Sequence, residues 1–301
     1  MDAPRLLIGG RIAHYRHKNG NRSQAAVAGL CGISVRYLSL IENGKRIPSH
    51  DVLVRLAAEL GVPVAVLLAE SAPPESAAPL TINPGVARAL MGYRSPADVT
   101  PATAPVLRDR VEQAWTSWQC SEQRFTDAAQ TLPALIDDIE HAIRSHRHDP
   151  TTRRDVLRTT ADLYGLLRSY CRRTGRLDLS LMAADRAMRA AENADDPVRI
   201  AAASWNLAQV LLSDPRDGAV QEATEVALQA VDQLQREPAG RESAAMQGAL
   251  HLVAVVADAR QRHWWQAREH LQRHAVPLGS TAGDGNVQWT VFGPTKVAPR
   301  S

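Results

Sequence analysis

An all-α protein in two parts is what this sequence predicts, and three observations carry the prediction. Alanine, leucine and arginine dominate a chain whose aromatics amount to only 4%, and those three are among the best helix formers. From Pro105 onward no run alternates β-branched residues between turn signals, so no strand is expected. The stretch SAPPESAAPLTINP, Ser71 to Pro84, is rich in Pro, Ser and Ala and reads as a linker between a short unit and a long body. The expected division is 1–70, a linker over 71–104, and 105–301.

Bulk properties narrow the class. A chain of 301 residues, 45% apolar and 22% charged, is a soluble globular protein with enough sequence for real cores. Cys31, Cys120 and Cys171 lie far apart with no CxxC pair, which argues against a disulfide framework or a cysteine zinc site. They read as small buried hydrophobes in a reducing compartment. No signal pattern and no apolar run of about 18 residues is present, so a cytoplasmic protein with no membrane partner is expected. Residues 1–70 carry nine Lys/Arg against five Asp/Glu within a net charge of +3. A basic N-terminal unit on a near-neutral body points to a polyanion partner at one end.

Residues 8–68 read as five short helices. Within RSQAAVAGLCGISVRYLSLIENGKRIPS, Ser23 caps one helix, Val27 and Ala28 face inward, and Gly32 opens a turn. Ser34 caps the next helix, which buries Leu38 and Ile41 at i, i+3 spacing. Val35, Arg36, Ser39 and Leu40 are left facing outward. Arginine can bond guanine O6 and N7 together, while valine, leucine and serine suit thymine methyls or small polar edges.

Those residues resemble the Cro/lambda-repressor-like helix-turn-helix family, also called the XRE type. IGGRIAHYR matches its helix one, SQAAVAGLCG its helix two, and ISVRYLSLIENGKRIPS its helix three and exit. SHDVLVRLAAELG and PVAVLL match helices four and five. The resemblance implies that Gln24 bonds a phosphate and that Ser34, Val35, Arg36, Ser39 and Leu40 face base edges. It implies that Tyr37, Asn43 and Lys45 or Arg46 flank the DNA backbone, and that Glu42 pairs with Arg16 as a structural element. KNGNRS, Lys18 to Ser23, is one residue longer than the usual turn, which leaves the placement of Asn21 and Arg22 open. So few contacts per unit do not hold a double-stranded operator, so a homodimer is expected.

After Pro105 the helices pair. Val106–Gln119 is followed by Ala128–Ile143, Asp155–Arg173 by Leu179–Ala191, Ile200–Leu212 by Val220–Val231, and Glu242–Ala259 by Trp264–Leu271. Turns at Gly175, Gly218 and His263 lie 43 and 45 residues apart, a repeat spacing. Small residues such as Ala184, Ala223, Ala227 and Ala267 let stacked pairs approach closely. The pattern resembles degenerate tetratricopeptide repeats. Helix-turn-helix plus such a body resembles regulators of GC-rich bacteria and, more distantly, peptide-pheromone receptors of Gram-positive bacteria. That implies a concave surface of first helices binding a peptide, small molecule or partner protein, with Tyr164, Arg168, Trp205, Asn206 and Gln209 as ligand-facing candidates. Trp264 and Trp265 are expected to pack the last helix.

No GxSxG, P-loop, GxGxxG or HExxH occurs, so no catalytic residues are assigned. His141, His146 and His148 lack a fixed carboxylate partner, so neither a metal nor a cofactor is expected. NVQWTVFGPTKVAPRS ends the chain without an evident capping helix, which suggests a truncated stack. The expected function is a sequence-specific transcriptional regulator. The rival reading is a helical interaction scaffold or antitoxin-like adaptor with secondary DNA binding.

Overall fold

The computed structural model describes residues 8–18, 22–62, 64–68, 81–92 and 100–297. The chain divides into two compact units, 1–78 and 79–301. Among the described residues every regular element is helical.

The first unit holds α1 (Ile8–Lys18), α2 (Gln24–Leu30), α3 (Val35–Glu42), α4 (His50–Glu59) and α5 (Val64–Leu68). Ile12, Val27, Ala28, Leu38, Leu56 and Leu67 are fully buried in one cluster. Each large aliphatic side chain so buried stabilises the fold by about 1.5–3 kcal/mol. Gly9 lets α1 lie directly on α3, since a Cβ there would stand 1.9 Å from the carbonyl oxygen of Ile41. Arg11 Nε donates to Leu67 O at 2.7 Å in the interior, tying α1 to α5.

The second unit begins with α6 (Pro84–Leu90) and continues as α7 (Ala104–Cys120), α8 (Arg124–Ser145), α9 (Pro150–Arg173) and α10 (Leu177–Asn193). Next come α11 (Pro197–Leu211), α12 (Ala219–Leu234), α13 (Arg241–Arg260) and α14 (Trp264–Glu269). A π-helical turn (His270–Ala275), α15 (Val276–Ala282), a 3₁₀ turn (Val287–Trp289) and α16 (Pro294–Val297) complete it. The repeat is visible in its chemistry. Asp149 and Asp196 cap α9 and α11, accepting from Thr152 N at 3.2 Å and Arg199 N at 3.1 Å, each with proline in the first turn. Both features start helices for stated reasons, an acceptor for an orphan N–H and a residue that has none to lose. Gly175 and Gly218 turn the chain at φ 75° and 85°, a region glycine enters without steric cost. In the third turn Arg262 takes that role at φ 63°. Alanines 183, 187, 223, 227 and 230 are buried along the seams, where their small size brings the backbones together.

Three expectations are corrected here. The stretch 71–104 is not all linker, because α6 lies inside it with Val86 and Leu90 fully buried in the core that includes α8. Asn83 N also donates to Tyr170 OH at 3.2 Å. Trp264 and Trp265 do not pack the last helix, being 66% and 73% exposed. Cys120 is exposed, unlike Cys31 and Cys171. The last described stretch folds back onto the helices, with Phe292 buried against α13.

Candidate nucleic-acid interface

Two serine caps set the helix-turn-helix geometry. Ser23 Oγ accepts from Ala26 N at 3.2 Å and Ser34 Oγ from Tyr37 N at 3.1 Å. Gly32 supplies the positive φ of 62° between the helices. Leu38 and Ile41 pin α3 to the core, so the side chains one and two positions off that stripe face away. Ser34, Val35 and Arg36 are exposed, and Ser39 and Leu40 are half-buried. Tyr37 is half-buried and packs against the core of the unit.

Beyond α3, Gly44 adopts φ 70°, and the N–H groups of Lys45 and Arg46 both reach Leu40 O, at 2.8 and 3.1 Å. This closes the helix end by satisfying an orphan carbonyl. It leaves Asn43, Lys45 and Arg46 exposed. Asn43 Nδ2 donates to Ser39 O at 2.8 Å and to Ser39 Oγ at 3.3 Å. Ile47 is 83% exposed on the same exit segment. Sequence reasoning missed it, because an isolated isoleucine reads as core; its place in the coil after Gly44 was the available signal.

A buried charge network holds this face from behind. Arg16 donates Nε to Glu42 Oε1 at 2.8 Å and a terminal nitrogen to Oε2 at 2.9 Å. Its other terminal nitrogen reaches Arg22 O at 2.7 Å. Arg22 in turn pairs with Glu59, which settles its place; Asn21 lies outside the described residues. Gln24 Nε2 donates to Glu42 Oε2 at 2.6 Å. That bond uses one of the two amide hydrogens and fixes where the other points. Burial raises the Glu42 carboxyl, but the bonds from Arg16 and Gln24 outweigh it and leave the group below its ordinary value.

The second unit separates the other candidate residues. Tyr164 is buried and donates to Glu140 Oε1 at 2.7 Å while accepting from Arg186 at 3.1 Å. It lines a cavity of about 670 Å³ among α6, α8, α9 and α10. Arg168 and Asn206 are buried elsewhere, where Arg168 donates to Asn206 Oδ1. The guanidinium stands 5.4 Å from the centroid of half-buried Trp205, and its Nε has no partner among the described residues. Gln209 is half-buried, and its carbonyl accepts from Ser213 Oγ at 3.1 Å. The five do not form the one open surface expected from the sequence: Tyr164, Arg168 and Asn206 are buried, while Trp205 and Gln209 are half-buried. Gln288 and Trp289 line one small cavity with Asn206.

The family described as Helix-turn-helix matches residues 15–67. No curated protein matches the chain. A solved structure of Bacillus thuringiensis PlcR, in complex with the peptide PapR7 and DNA, is similar at 12% identity. The likeness covers 97% of this chain and 86% of that one at a TM-score of 0.33, too low for it to guide the arrangement of parts. Two capped helices around Gly32, the outward face of α3 and the family match converge on one conclusion: residues 15–67 form a helix-turn-helix unit similar to that family.

Proposed function

We propose that this protein is a sequence-specific regulator that binds duplex DNA as a homodimer, with α3 in the major groove. The observation that carries the reading is the division of α3. Leu38 and Ile41 are buried on one side, while Ser34, Val35 and Arg36 are exposed on the other at its N-terminal end. An arginine held there has the length and fork geometry for guanine O6 and N7, and Val35 and Leu40 offer apolar contact to thymine methyls. Lys45 and Arg46, exposed just past the helix end, suit phosphates, which position the domain and carry no sequence information. Gln24, oriented by Glu42, and Asn43 serve the same purpose at the flanks. Two such units related by a two-fold axis read half-sites about one DNA turn apart. The helical-repeat unit senses a ligand and biases DNA binding.

Selection from random-sequence duplexes at two salt concentrations tests this. The expected product is a two-fold site with a guanine preference that Arg36→Ala abolishes, at a cost of about 1–3 kcal/mol for the preferred base. Lys45→Ala should weaken binding to all sequences alike and reduce the salt slope by about one. Unselective binding by the unaltered protein, steeply dependent on salt, would overturn the proposal.

A further inference from the structure

The first helices of the pairs, α7, α9, α11 and α13, pack each against the next, and a short segment crosses them. Trp289 stacks on Trp115 of α7 with ring centroids 4.8 Å apart and planes 3° from parallel. Gln119 Nε2, one turn further along α7, donates to Trp289 O at 3.1 Å. Asn286 Nδ2 donates to Gln119 Oε1 at 2.6 Å, and its own Oδ1 accepts from Val291 N at 3.1 Å. In the middle, Gln288 and Trp289 lie over Asp162 and Gly165 of α9 and Ala203 and Asn206 of α11. The void left between them is about 10 Å³, room for about one water. At the far end Phe292 sits where Gly248 leaves α13 bare, since a Cβ on that glycine would stand 2.0 Å from the ring. The segment therefore touches α7, α9, α11 and α13 in turn.

Its backbone is not relaxed. Gln288, Trp289 and Val291 have φ of 48°, 55° and 55°, in the left-handed region that side chains avoid, β-branched valine most of all. Local preference does not hold these residues in this shape; the helices beneath them do. A segment seated by side chains and opposed by its own backbone is suited to leaving.

We propose that residues 286–292 are a built-in occupant of the surface these four helices form, a strap that closes it and gives way to an extended peptide carrying an aromatic side chain. The chemistry of the competitor follows from what the strap uses: a flat ring on Trp115, a carbonyl to accept from Gln119, and a second ring in the Gly248 socket. Tethering gives the strap an effective concentration on the order of millimolar, so a free peptide displaces it only when better shaped or when the strap is weakened. The inference rests on reading the second unit as ligand-sensing, and its test uses no DNA, so its failure leaves the Arg36 experiment untouched.

The probe is a labelled synthetic copy of residues 286–292, added to the full chain and read by fluorescence anisotropy. Trp289→Ala should bind it at least tenfold more tightly than the unaltered protein, and Trp115→Ala in the same chain should remove that gain. Equal affinity for the unaltered and Trp289→Ala proteins would overturn the proposal, as would a gain that survives Trp115→Ala. Hydrogen exchange on the unaltered chain provides the second measurement, should Trp289→Ala fail to fold. Amides of 286–292 should exchange as a group well before those of α9 and α13. Exchange of all three together, only on global unfolding, would overturn the proposal as well.

Discussion

Glu42 ends α3, and its charge is directed inward to Arg16 and Gln24. Its role is to hold α1, α2 and α3 in register, and breaking such a buried pair leaves a guanidinium without its counter-charge. Glu42→Gln should cost about 3 kcal/mol at neutral pH, read as a lowered urea midpoint. The pH dependence has a definite sign. The folded carboxyl lies below its ordinary value, so its contribution is complete above the unfolded value of about 4.3 and fades as pH falls through the folded value. Urea midpoints of the unaltered protein should therefore drop on acidification below about pH 4.5, and Glu42→Gln should flatten that drop. His251 adds a loss in the same direction from the opposite cause, a charge the fold refuses. Burial first, then His274 and His270, push it down to about 4, so the folded protein keeps it neutral. Between about pH 6.5 and its folded value the unfolded chain takes a proton that the folded chain refuses. Stability should fall over that window by up to about 3 kcal/mol, with Asp258 near His270 working against the loss. His251→Gln, neutral at every pH, should remove most of the slope in a pH series of thermal midpoints.

At the scale of elements, the position of α3 depends on how closely α1 can approach it. Gly9 is the point of closest passage, and an added methyl would collide with backbone, which cannot rotate away. Gly9→Ala gains helix propensity of about 1 kcal/mol in α1 but forces the two helices apart. The collision should win. A net destabilisation of about 1–3 kcal/mol, the range for overpacking, should appear in chemical denaturation, together with weaker DNA binding by an unchanged set of surface residues. In the second unit the corresponding devices are the Asp-Pro starts of α9 and α11 and the alanine seams between neighbours. They explain why helices carrying so few aromatics stack tightly.

For the molecule as a whole, the repeat unit is closed by a segment far away in sequence from the helix it caps. Gly248→Ala isolates that closure, because alanine strengthens α13 while its methyl takes the space of the Phe292 ring. Amides of 286–292 should lose protection in hydrogen exchange while those of α13 keep theirs. Exposing the ring should cost about 1.5–3 kcal/mol of stability. Among the described residues no single helix is long and apolar enough to cross a membrane.

The sequence by itself determined the helical class, the two serine-capped helices around Gly32, and the outward set on α3. Each depends on residues within one or two turns of one another, where the 3.6-residue period dictates which face a side chain occupies. The Arg16–Glu42 pair was legible only through family resemblance, since nothing in the spacing joins positions 26 apart. The turns of the repeat were equally local. Tertiary structure alone decided the rest. Trp264 and Trp265 fit an apolar helical stripe, but among the described residues nothing covers them and they stand exposed. Tyr164, on a first helix as the repeat pattern placed it, is enclosed by Glu140 and Arg186, whereas what lies beside Asn206 depends on the segment that crosses its helix. That is set by Trp115 meeting Trp289 and Gly248 meeting Phe292, pairings made by ring shape and missing methyls across long separations, which no local period encodes.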